Sequence, residues 1–103
     1  MQIKVKQFND NRTCHKTPMP VHARILDIQS ELGELAKEYL KHSKYGIDKF
    51  QLTESFKDEF GDVLYALLSL ANELEISCDE CLDISLNKLQ NRMLKNNTMG
   101  SEN

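Results

Sequence analysis

Glycine and proline are scarce in this chain, four and two among 103 residues, so a disordered linker-like polypeptide is not expected. A content of 40% hydrophobic and 28% charged residues fits one folded domain. No apolar run approaches the roughly 18 residues that a membrane-spanning helix needs. The opening MQIKVKQFND has no apolar signal-peptide core, and three cysteines make an odd count for a secreted disulfide framework. A surplus of basic residues is missing too: the net charge is -3 and the pI about 5.6, so no nucleic-acid polymer is expected as partner. There is no βαβ pattern, no solenoid repeat and no low-complexity segment. A cytoplasmic protein without a membrane partner is the expectation.

What is present is helical periodicity. Residues 1–17 form an N-terminal arm with mixed signals: Ile3, Val5 and Gln7 alternate as in a strand, while Ile3, Lys6 and Gln7 fit a helix, and both readings stay open. Pro18 and Pro20 break that segment and place Pro20 near a helix start. Val21, Ile25, Ile28, Leu32, Leu35 and Tyr39 then recur in steps of four and three, the seam of a bundle helix. Lys44 to Asp48 end it, with Gly46 as the turn residue. Thr53 is a good N-cap for a second helix reaching about residue 75, whose apolar surface from Phe56 to Leu74 is wide enough to make it central. Ser77-Cys78-Asp79-Glu80 reads as a capping box for a third, with Leu82, Leu86, Leu89 and Met93 on one side. Residues 96–103 form a polar, flexible tail. The fold class is all-α, an antiparallel bundle. Because a chain this short buries its apolar faces poorly alone, self-association is expected to complete it.

Two tetrapeptides carry the chemistry: Glu31-Leu32-Gly33-Glu34 on the first long helix and Glu59-Phe60-Gly61-Asp62 on the second. Acids three apart share a helix face. Asp27, Glu31, Glu34 and Glu38 form a strip roughly 80–140° from the apolar seam, flanking the core rather than opposing it. Glu31, Glu59 and Asp62 have no basic residue three or four positions away, whereas Glu34 has Lys37 and Glu38 has Lys41. Like-charge pairs at this spacing cost roughly 0.2–0.5 kcal/mol each, and a mid-helix Gly about 1 kcal/mol relative to Ala. Solvated surface charge and simple tolerance of Gly33 and Gly61 are the bland explanation. The alternative is an external cation, with another backbone or a ligand approaching both glycines. Oxygen ligands without imidazole or thiolate suit Mg²⁺ or Mn²⁺ rather than Zn²⁺, and a di-iron bundle would want Glu-x-x-His. Mg²⁺ usually binds together with substrate phosphates.

At these residues the chain resembles the MazG family within the all-α nucleoside triphosphate pyrophosphohydrolases. The resemblance rests on SELGELAKE (Ser30 to Glu38), KDEFGDVLYALLSLANELEI (Lys57 to Ile76) and NKLQNRM (Asn87 to Met93). It makes residues 18–95 a MazG-like helical catalytic domain of the four-helix-bundle type. It implies Mg²⁺-dependent cleavage of a nucleoside triphosphate, deoxy or non-standard, to monophosphate and pyrophosphate, with Mn²⁺ able to substitute. Glu31, Glu34, Glu59 and Asp62 match the family's metal ligands. A carboxylate outside the innermost shell, Glu38 or Glu34, would orient or deprotonate the attacking water. With no Gly-x-x-x-x-Gly-Lys loop, phosphates would be held by metal and cations, and Lys88, Asn91 and Arg92 occupy third-helix positions where the family contacts phosphate or nucleoside. The family further implies a homodimer or a dimer of dimers. Phosphoribosyl-ATP pyrophosphohydrolases share the acid pattern and are the same-class rival.

Other constellations are weaker. Cys78 and Cys81 at a helix start lack the α/β context of a thioredoxin-like site, and a zinc site with Cys14 and His15 has nothing local to assemble it. Small buried hydrophobes are the expected role of these cysteines. His22 and His42 lie at the ends of the first long helix with no nucleophile in register. A non-catalytic helical interaction module fits the seam but leaves the paired acids unexplained.

Overall fold

The computed structural model describes residues 1–12 and 19–98. Four helices follow in chain order, α1 (Gln2–Arg12), α2 (Val21–Lys41), α3 (Glu54–Glu73) and α4 (Cys78–Thr98), with no strand among the described residues. The all-α expectation holds. No described helix is long and apolar enough to cross a membrane.

The helix starts follow from local chemistry. Pro20 takes an extended conformation before α2, and its carbonyl accepts the first helical bond from the Arg24 amide. Thr53 caps α3, its hydroxyl accepting from the Phe56 N–H at 3.1 Å. Ser77 Oγ accepts from the Glu80 N–H at 3.2 Å, the cap that Ser77-Cys78-Asp79-Glu80 predicts for α4. After α2 the backbone turns through three successive left-handed residues, Lys44, Tyr45 and Gly46. Buried Ser43 pins that turn: its hydroxyl donates to the Tyr39 carbonyl and accepts from the Gly46 N–H. Phe50, stacked on Tyr39 and edge-on to Phe56, fastens the connection to α2 and α3.

As expected, α3 is central. It packs against α2 on one side and α1 on the other, and it supplies the buried residues Ala66, Leu68, Ser69 and Ala71. The open question at the N-terminus resolves as helix over Gln2–Arg12, and residues 13–17 of the arm lie outside the described residues. Amides and hydroxyls join α1 to α3 and the turn after it, alongside the edge-on rings of Phe8 and Tyr65: Gln2 Nε2 donates to Asn72 Oδ1 and to the Ile76 carbonyl, Asn9 Nδ2 to Ser69 Oγ, and the Tyr65 hydroxyl to Asn9. Because no apolar stripe marks its face, sequence periodicity could not choose helix over strand. Residues 96–98, expected in the flexible tail, belong instead to α4, which continues to Thr98; the rest of that tail lies outside the described residues.

The packing is incomplete within one chain. The radius of gyration is 18.1 Å, where about 13 Å is typical of a compact chain of this length. α4 is only lightly packed on the other helices, and Leu82, Leu86, Leu89 and Met93 stay 48–65% exposed. Ile25 and Leu32 of the α2 seam are half exposed as well.

Candidate metal centre

Heptad arithmetic explains how the acids meet. Arg24, Glu31 and Glu38 stand seven residues apart, so they form one line along α2, each two turns from the next. Ser55, Glu59, Asp62 and Glu73 form the corresponding strip of α3. Antiparallel packing of α2 on α3 sets these strips face to face. At the middle, Glu31, Glu59 and Asp62 each place a carboxylate oxygen within 4.8 Å of the other two. Glu31 and Glu59 are half buried and Asp62 is exposed.

The arrangement is electrostatically unfavourable by itself. No basic side chain among the described residues forms an ion pair with any of the three. Both glutamates are held above the ordinary carboxyl range. For Glu31 the causes are partial burial first, then the charges of Asp62, Asp27 and Glu34. For Glu59 they are partial burial, then Asp62, Glu34, Glu31 and Asp58. A trio of close oxygen donors with no thiolate or imidazole among them and no cation to balance it fits a hard divalent ion.

The other candidates stand at different removes. Glu34 lies at the margin of the trio: it is outside the 4.8 Å group, but its charge acts on both Glu31 and Glu59. Its side chain is 54% exposed, with Lys37 Nζ at 4.0 Å. Glu38 is engaged instead, and not by Lys41. Its Oε2 accepts from Ser55 Oγ at 2.9 Å and lies 3.2 Å from His42 Nε2. Lys88, Asn91 and Arg92 are exposed on lightly packed α4, and their side chains bond to no described residue. Cys78 is half buried and Cys81 exposed, so neither is the buried hydrophobe expected; their thiols are free. Cys14 and His15 lie outside the described residues.

A Cβ built on Gly33 or Gly61 meets nothing within 4 Å, so no described part of this chain approaches either glycine. Strip-on-strip packing of α2 and α3, rather than close backbone contact, brings the acid pairs together. Ser55, His42, Arg24 and Glu73 also belong to the site's surroundings. For three of them the signal was available in the numbering, since His42 is four residues from Glu38, Ser55 four before Glu59, and Arg24 seven before Glu31.

Most of the chain is similar to known proteins. The family model for the MazG nucleotide pyrophosphohydrolase domain matches residues 21–95, which hold all three carboxylates. The uncharacterized protein YpjD of Bacillus subtilis (strain 168) is 39% identical over 79 residues, covering 74% of this chain and 67% of that protein. The crystal structure of YpjD from Bacillus subtilis, described with it as a proposed pyrophosphatase, superposes with a TM-score of 0.68 at 31% identity, covering 84% of this chain and 88% of that one.

Proposed function

The chain belongs to the MazG nucleotide pyrophosphohydrolase family, and on that premise we propose that it hydrolyses nucleoside triphosphates, deoxy or non-standard ones, to monophosphate and pyrophosphate with the help of Mg²⁺. The observation that carries this reading is the uncompensated trio Glu31, Glu59 and Asp62, with oxygens within 4.8 Å of one another. These three side chains, with Glu34 at their margin, would hold the ion; Mn²⁺, with the same preference for oxygen, would substitute. When bound, the ion supplies acidity to water and neutralises charge on the phosphate chain.

The remaining roles fall to protein groups. Water attacks the α-phosphorus, and the bond from that phosphorus to the α,β-bridging oxygen breaks, so pyrophosphate leaves. Between the two proposed bases, Glu34 is the better placed to take the water's proton, because among the described residues its carboxylate meets only Lys37 Nζ at 4.0 Å, while that of Glu38 is occupied by Ser55 and His42. Lys88, Asn91 and Arg92 would bind phosphate or nucleoside from α4 of a second copy, in a homodimer or dimer of dimers. The half-exposed apolar side of α4 supports that assembly.

A turnover screen over ribo- and deoxynucleoside triphosphates in Mg²⁺ tests the reading. Monophosphate plus pyrophosphate is the expected product pair. Diphosphate plus phosphate, or no turnover in either Mg²⁺ or Mn²⁺, overturns it. Turnover of phosphoribosyl-ATP alone would move the chain to the rival substrate within the same chemistry.

A further inference from the structure

Three like charges drawn together without a cation push their two helices apart, so something must hold α2 to α3 at the trio. The α2 line answers this. Two turns to either side of Glu31, about 10 Å each way along the axis, stand Arg24 and Glu38, and each reaches across to α3. Arg24 Nη2 lies 3.5 Å from Glu73 Oε1, and these side chains are only 15% and 32% exposed. Glu38 Oε2 accepts from Ser55 Oγ.

The second contact is built into the α3 cap. Ser55 Oγ is also 3.1 Å from Thr53 Oγ1. A hydroxyl has one proton, and that of Ser55 is given to Glu38, so Thr53 is the donor between the two. The chain of bonds thus runs from the Phe56 N–H to Thr53, from Thr53 to Ser55, and from Ser55 to Glu38. It seats the Glu38 carboxylate at the positive end of the α3 dipole. Arg24 carries a different mark. Its Nε is buried with no hydrogen-bond partner among the described residues, an arrangement that costs desolvation and that an apolar side chain would avoid.

We infer that Ser55 with Glu38, and Arg24 with Glu73, are positioning residues: clamps on either side of Glu31, Glu59 and Asp62 that keep the three carboxylates close enough to receive an ion. This rests on the metal-site reading above and adds to it what prepares the site before an ion arrives.

Binding of Mn²⁺ to the purified full-length chain, followed by the loss of the free-ion paramagnetic resonance signal, tests it. Ser55→Ala and Arg24→Met are each expected to weaken Mn²⁺ binding about tenfold, the low end of what residues supporting a metal site contribute. Ser55→Thr, which keeps the hydroxyl, is expected to bind as the parent does. Gln2→Ala, which removes the α1 contacts to Asn72, Ile76 and Cys78, should lower stability and leave Mn²⁺ affinity alone. A purely structural role for the clamps would make Ser55→Ala and Arg24→Met behave like Gln2→Ala, and that result overturns the inference. If the parent chain itself fails to bind Mn²⁺, the metal-site reading falls and takes the clamps with it.

Discussion

Replacing Gly33 and Gly61 by alanine separates two accounts of why glycine stands between the acids of each pair. Both positions are helical, and no described atom lies within 4 Å of where a methyl group would enter. With no contact to disturb, the substitution acts through backbone entropy, and each is expected to stabilise the chain by about 1 kcal/mol. An unfolding entropy of about 2.1 cal/mol/K per residue then converts 1 kcal/mol into about 5 °C for 103 residues. The assay is thermal unfolding by circular dichroism without divalent metal, at one protomer concentration, because self-association shifts Tm by mass action. The two changes lie on different helices with no shared partner, so the double variant should show close to the sum. A fall in Tm for either variant would refute this reasoning. It would mean that the space beside that glycine is filled in the folded protein by a group other than the described residues of this chain.

Three further outcomes are expected. Glu31 and Glu59 both titrate above the ordinary value of 4.5 when folded, so the stability they contribute is complete below that pH and is lost as pH rises through their folded values. Urea unfolding without metal should therefore show stability declining above about pH 4.5, and saturating Mg²⁺ should flatten that slope; a rise with pH over the same window contradicts the raised values. Glu59→Gln should abolish turnover while the helical spectrum is retained, and its metal-free Tm should not drop, since one member of a repelling trio is neutralised; unchanged turnover would remove Glu59 from the site. Leu86→Asp with Leu89→Asp, on the half-exposed side of α4, should reduce the particle mass measured by light scattering to that of one chain and abolish turnover. An unaltered mass would show that this side of α4 is no interface.

Much of this molecule is determined by local rules that can be read residue by residue. The α2 seam from Val21 to Tyr39, the Thr53 cap and the Ser77 cap each depend on a few neighbouring side chains, and the helices form where those rules place them. The acid pairs were legible for the same reason, because a charge without a cation three or four residues away is a local fact. Contacts between distant segments were another matter. That α1 is a helix depends on Gln2 and Asn9 meeting Asn72 and Ser69, some 60 to 70 residues away, through polar groups that leave no periodic trace. Glu38 looks equivalent to Glu34 on the helical wheel, yet antiparallel packing gives Glu38 the α3 cap and leaves Glu34 open. Helical periodicity says which residues share a face; only the pairing of α2 with α3 decides which of them face each other. That pairing turned two separate acid motifs into one cluster and made supports of Arg24 and Ser55.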